Sequence, residues 1–130
     1  MANDTSGQAG LVYIVDDDDA VRDSTFWLLK AAGKDVAAFP SAADFLEGFD
    51  PGRKAVILLD LHMPGMSGLE LLELLQARAV RTPVIVISGR RDPQLDELLT
   101  RAGAMAILSK PSGKTELMAL VTQALDSQGK

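Results

Sequence analysis

Five short apolar runs punctuate the chain, and stretches with helical spacing lie between and after them. Residues 11–15 (LVYIV), 36–39 (VAAF), 55–59 (AVILL), 84–87 (VIVI) and 104–108 (AMAIL) are expected to be strands. Val21, Leu28 and Ala32 begin a helical stripe that Gly33 is placed to end as a left-handed cap. Ser41 with Asp44, and Ser67 with Glu70, have the spacing of a helix-starting capping box. Asp92 puts a capping side chain ahead of Pro93 at a first helical turn, and Gly103 follows where that helix should close. Leu117, Leu120, Val121, Ala124 and Leu125 then form the stripe of an amphipathic last helix.

Strict strand–helix alternation implies a parallel sheet with helices on both faces, because parallel strands need right-handed crossovers. The third and fourth runs are almost wholly apolar, as strands covered on both faces should be, whereas VAAF is weaker and suits an edge. The expectation is one doubly wound α/β domain over residues 11–126, with a disordered arm at 1–10 and a short tail at 127–130.

Composition narrows the chemistry. The 130 residues are 47% apolar and 24% charged, enough for one packed core and too ordered for a disordered chain. No apolar run approaches the roughly 18 residues of a membrane span, and the first ten residues lack the layout of a secretion signal. Thirteen basic against eighteen acidic residues, a net charge of −5, argue against nucleic acid or an anionic membrane as partner. The absence of cysteine removes disulfides, thiolate metal sites and thiol nucleophiles, and suits a reducing cytoplasm. His62 is the only histidine. Oxygen chemistry remains.

In open parallel sheets ligands bind at the carboxyl ends of the strands, and the notable polar residues fall there. Asp16 and Asp17 follow the first run, Asp60 the third, Ser88 the fourth, and Lys110 closely follows the fifth. Each alone has an ordinary reading: an aspartate pair caps a helix, a serine–glycine pair starts a loop, a lysine is solvated. Four strand ends delivering compatible groups to one rim are not ordinary. Two carboxylates about 4 Å apart repel by roughly 4 kcal/mol at an effective dielectric of 20, so the group should raise a pKa or recruit a cation. Without histidine or cysteine clusters, that cation would be a hard divalent ion, Mg²⁺ or Mn²⁺. Facing it, a hydroxyl and an ammonium could hold phosphoryl oxygens. The implied chemistry is phosphoryl transfer onto a carboxylate.

The runs IVDDDDAVRDS (14–24), LLDLHMPGMSGLELL (58–72), TPVIVISG (82–89) and GAMAILSKP (103–111) resemble a two-component response-regulator receiver domain, in wording closest to the FixJ-like branch. Residue types and spacings agree together: 43 residues from Asp17 to Asp60, 28 on to Ser88 and 22 on to Lys110. The resemblance implies a flavodoxin-like fold with strand order 2-1-3-4-5. It implies that Asp60 is the phosphoacceptor for a sensor histidine kinase or phosphotransfer protein. Asp16, Asp17, Asp60 and the backbone carbonyl of His62 would bind Mg²⁺ or Mn²⁺. Ser88 and Lys110 would contact the phosphoryl group, with Gly89 small enough to leave access. His62 and Arg90 would flank that group and tune its hydrolysis. The output would be a downstream protein or a second copy, met through the face of the fourth helix, fifth strand and fifth helix. Leu95, Leu98, Ile107, Leu117 and Leu120 belong to that face.

Two positions depart from the family pattern. Ile107 stands where the family usually has Tyr or Phe as reporter of the switch, so a different rearrangement is expected beside Ser88. Arg90 and Arg91 follow the Ser88–Gly89 pair, and a cation at Arg90 is expected to prolong the phosphorylated state. Four other readings compete, of which an acid–metal nuclease would want a basic DNA-facing surface that a net charge of −5 does not support. A phosphohydrolase of the haloacid-dehalogenase type also uses an aspartate nucleophile, but needs a second acid where His62 stands. A flavin module would need a hydroxyl- and glycine-rich loop where this chain has four aspartates. A pseudo-receiver scaffold would have lost an acceptor or metal residue, and none is lost. The domain fills about residues 11–126, so the expectation is a stand-alone regulator or the receiver of a longer one, a signalling protein acting only on its own phosphorylation.

Overall fold

A computed structural model describes residues 10–89, 92–109 and 114–127. The expected arm, apart from Gly10, and residues 128–130 of the tail lie outside them, as do Arg90, Arg91 and Lys110. Strands and helices alternate: β1 (Leu11–Val15), α1 (Asp19–Ala31), β2 (Asp35–Phe39), α2 (Ala42–Gly48), β3 (Ala55–Asp60), α3 (Gly68–Ala77), β4 (Val84–Ser88), α4 (Pro93–Arg101), β5 (Ala106–Ser109) and α5 (Lys114–Asp126). The five strands form one parallel sheet in the order β2-β1-β3-β4-β5, with β2 at an edge as its weaker run predicts. All six residues of β3 are buried.

Side-chain alternation along the strands divides the interior in two. Tyr13, Val15, Ile57, Leu59 and Val86 face Phe45 of α2, Leu71, Leu72 and Leu75 of α3, and Leu99 of α4. Val12, Ile14, Val56, Leu58 and Ile85 face Leu29 of α1 and Leu117, Val121 and Leu125 of α5. On the first face Tyr13 also accepts the Asp50 N–H at its hydroxyl (3.0 Å), so the buried ring anchors the α2–β3 connection.

The helix termini show which local signals were realised. Ser67 and Glu70 close a capping box in both directions. At Ser41 only the forward bond forms among the described residues, Asp44 N–H to Ser41 Oγ, because the aspartate side chain is one methylene shorter than glutamate. Asp92 caps α4, with Pro93 in its first turn. Three helices end in the same paired bonds: Gly33 to Lys30 and Lys34 to Leu29, Ala79 to Gln76 and Val80 to Leu75, Gly103 to Thr100 and Ala104 to Leu99. The turning residue has φ +85° at Gly33 and +108° at Gly103, and +59° at Ala79, the one site of the three with a side chain.

Two expectations are corrected. The fifth strand starts at Ala106, not Ala104, because the Ala104 N–H is bound to Leu99 in the exit turn of α4. The sheet-facing stripe of α1 is not carried by Val21 and Ala32. Val21 is 40% exposed and Ala32 is the exposed C-cap, while Leu29 is fully buried and Arg22, Thr25 and Phe26 are half-buried. The inward face thus follows an i, i+3, i+4, i+7 series that begins with an arginine, a residue that hydrophobic patterning passes over.

Candidate functional site

The carboxyl ends of β1 and β3 lie side by side, since Val15 is in register with Leu59. The residues one step beyond these partners are Asp16 and Asp60, so pairing of two apolar strands by itself brings two carboxylates together. Both are buried, at 6% and 4% relative exposure, while the neighbouring Asp17 is exposed. One carboxylate oxygen from each of Asp16, Asp17 and Asp60 lies within 4.8 Å of the others. Three carboxylates at this spacing offer only hard oxygen donors, which suits a divalent cation of the Mg²⁺ or Mn²⁺ kind.

The backbone around Asp60 is fixed from two sides. The Leu61 N–H donates to Ile87 O of β4 (3.1 Å), and the Gly68 N–H, at the start of α3, donates to Leu61 O (2.9 Å). A Cβ on Gly68 would stand 2.8 Å from Asp60 O and 2.8 Å from Leu61 Cα, so the helix start packs directly on the backbone that carries the aspartate. Only glycine permits that approach.

Ser88 ends β4 and is 1% exposed, and its register partner is Ser109, the last residue of β5. Gly89 follows with open space around it. His62 is exposed in the loop after β3. Ile107 is half-buried opposite Val86 and packs with the α2–α4 side of the core. Lys110 and Arg90 lie outside the described residues. Of the five apolar residues expected on the α4–β5–α5 face, Leu98 is 51% exposed, Leu117 belongs to the core, and the other three are half-buried. Met105, just before β5, is also exposed, at 38%.

Two features escaped the apolar pattern. A cavity of about 900 Å³ opens between α1 and α5, bordered by Leu28, Leu117 and the 66%-exposed Trp27, with Asp16 and Asp60 in its lining. Arg22 donates from Nη1 to Asp16 O (2.8 Å) and pairs through Nη2 with Asp19. The Asp19–Arg22 spacing is a visible helical pair, but the bond to Asp16 O is not legible without the turn.

The profile of the response regulator receiver domain matches residues 12–122. The chain belongs to the response regulator receiver family. As a receiver it is 41% identical over 114 residues to the transcriptional regulatory protein FixJ of Azorhizobium caulinodans, covering 88% of this chain and 54% of that one. It is 37% identical over 120 residues to the transcriptional regulatory protein TdiR of Thauera aromatica, covering 92% and 53%. Among solved structures, the receiver is similar to FixJ-N (TM-score 0.82, 35% identity, 89% of this chain and 93% of that one). It is also similar to the response regulator StyR (TM-score 0.86, 36% identity, 92% and 60%). The chain spans about half the length of the curated relatives it matches. The FixJ-like resemblance and the flavodoxin-like strand order expected from sequence are both borne out. None of the helices among the described residues is long and apolar enough to cross a membrane.

Proposed function

We propose that this receiver takes a phosphoryl group onto Asp60 from the phosphohistidine of a sensor kinase or phosphotransfer protein. The observation that carries the reading is the convergence of Asp16, Asp17 and Asp60, with Asp60 buried on a backbone held by two hydrogen bonds. Asp16, Asp17, Asp60 and the His62 carbonyl would hold Mg²⁺, or Mn²⁺ in its place. When bound, the ion offsets the negative charge that phosphoryl oxygens bring to three carboxylates.

In the transfer, an Asp60 carboxylate oxygen forms a bond to phosphorus as the phosphorus–nitrogen bond breaks. The imidazole leaves with that electron pair and takes up a proton from solvent. Hydrolysis reverses the assignment: water attacks phosphorus and the carboxylate leaves. The Ser88 hydroxyl and the Lys110 ammonium would bond the phosphoryl oxygens. Gly89 would leave room for an approaching donor, and His62 and Arg90 would set how readily water follows. Chemistry of this kind acts on the protein's own aspartate and turns over no separate substrate, so its product is a conformational signal.

The signal would be read on the α4–β5–α5 face by a downstream protein or a second copy of the receiver. Leu98 of α4 is exposed there, and half-buried Ile107 would couple that face to Ser88 in place of an aromatic side chain. A haloacid-dehalogenase type of hydrolysis is disfavoured, because His62 occupies the position of its second acid. We place the receiver in the cytoplasm, where its lack of cysteine carries no cost.

The test is direct. Incubation with Mg²⁺ and acetyl phosphate should add the mass of one phosphoryl group to the wild type. Asp60→Asn and Asp17→Ala should remain unmodified. No adduct on the wild type would favour a scaffold that binds partners without phosphorylation, and an equal adduct on Asp60→Asn would remove Asp60 as acceptor.

A further inference from the structure

Four consecutive aspartates, Asp16 to Asp19, follow β1, and apart from the family resemblance nothing in their order says which should bind a cation. The structure separates them by what each already holds. The Asp16 carboxylate accepts the Asp18 N–H (2.9 Å), and the Asp18 carboxylate accepts the Val21 N–H (3.0 Å) as cap of α1. Asp19 is paired with Arg22. Asp17 alone makes no hydrogen bond or ion pair among the described residues, and it is the exposed member of the three-carboxylate cluster.

Arg22 links these assignments. Its side chain is 17% exposed, against 87% for its partner Asp19, and it sits at an inward position of α1 where an apolar residue would ordinarily stand. One arm of the guanidinium holds Asp16 O and the other holds Asp19. The planar fork of arginine can fasten two acceptors at once, which a lysine ammonium on its flexible stem does poorly.

We propose that Arg22 is the positioning residue of the cation site: it fixes the Asp16 backbone, keeps Asp19 on the helix, and so leaves Asp17 to meet the ion beside Asp16 and Asp60. The inference rests on the reading of the cluster as a divalent-cation site, and it adds the residue that selects the ligands. Charge alone predicts the opposite effect. A cation beside the site repels Mg²⁺, so removing it by Coulomb's law should tighten binding. Removing a support that holds a ligand in place should instead weaken binding, in metal sites commonly by 10–100-fold. The sign of the change therefore separates the two roles.

Calorimetric titration of the metal-stripped full chain with MgCl₂ is the measurement, with circular dichroism confirming that each variant is folded. Arg22→Ala should weaken Mg²⁺ binding by about tenfold or more. Arg22→Lys keeps the charge without the fork and should also weaken it, which gives an independent reading if Arg22→Ala fails to fold. Asp19→Asn, which leaves the bond to Asp16 O, should stay within about threefold of wild type. Wild type that binds Mg²⁺, with Arg22→Ala or a folded Arg22→Lys binding it equally or more tightly, overturns the positioning role alone. A wild type with no Mg²⁺ binding overturns the cation-site reading and this inference with it.

Discussion

Gly68 and Gly89 flank the proposed acceptor, and replacing each with alanine should give opposite results. At Gly68 the new Cβ meets Asp60 O at 2.8 Å, Leu61 Cα at 2.8 Å and Leu61 O at 3.1 Å, whereas ordinary contact starts at 3.4 Å. All three atoms are backbone, so no side-chain rotation can relieve the overlap. The start of α3 must retreat by about half an ångström, or the Asp60–Leu61 peptide must shift, against the bonds from Gly68 N to Leu61 O and from Leu61 N to Ile87 O. Overpacking of this kind costs about 1–3 kcal/mol, and the better helix propensity of alanine returns up to about 1 kcal/mol. The net loss should be about 1–2 kcal/mol, which for a domain of this length lowers the melting temperature by about 3–8 °C. Because the displaced peptide carries Asp60, Mg²⁺ affinity and phosphorylation should fall with stability. At Gly89 a Cβ meets nothing within 4 Å, so Gly89→Ala should stay within about 0.5 kcal/mol of wild type. Thermal melts followed by circular dichroism, with and without Mg²⁺, provide the comparison. A Gly68→Ala protein that melts and binds Mg²⁺ like wild type would show that the tight approach of α3 to the acceptor is not maintained, and the reasoning would fail.

Ala79 ends α3 at φ +59°, where an L-residue loses about 1–2 kcal/mol and glycine loses little; after subtracting the extra freedom glycine gives the unfolded chain, Ala79→Gly should stabilise the protein by about 0.5–1 kcal/mol in a urea melt. Tyr13→Phe keeps the ring among Phe39, Phe45 and Phe49 but leaves the Asp50 N–H without its acceptor, so it should cost about 1 kcal/mol in the same assay. Saturating Mg²⁺ should raise the melting temperature of wild type and not of Asp17→Ala, with protection of about 2.7 kcal/mol at a hundred times the dissociation constant; equal protection of both would place the ion elsewhere.

The sequence by itself determined the order of elements, the parallel sheet and its apolar centre, because period-two and period-3.6 patterns report which side chains leave water. It also determined the candidate site residues. Asp16, Asp17, Asp60 and Ser88 were legible because strand ends can be read from where apolar runs stop. The receiver resemblance added the strand order and the proposed roles. Tertiary structure decided what depends on distances between elements. Val15 opposite Leu59 brings Asp16 to Asp60, and close packing makes Gly68 a necessity where sequence showed only the first residue of a capped helix. The inward face of α1 departs from the apolar stripe, since it starts with Arg22, whose burial makes sense only beside the Asp16 carbonyl and Asp19. In the row of four aspartates the letters are identical. Which one keeps a carboxylate without a protein partner among the described residues is decided by hydrogen bonds and an ion pair that form only once β1 turns into α1.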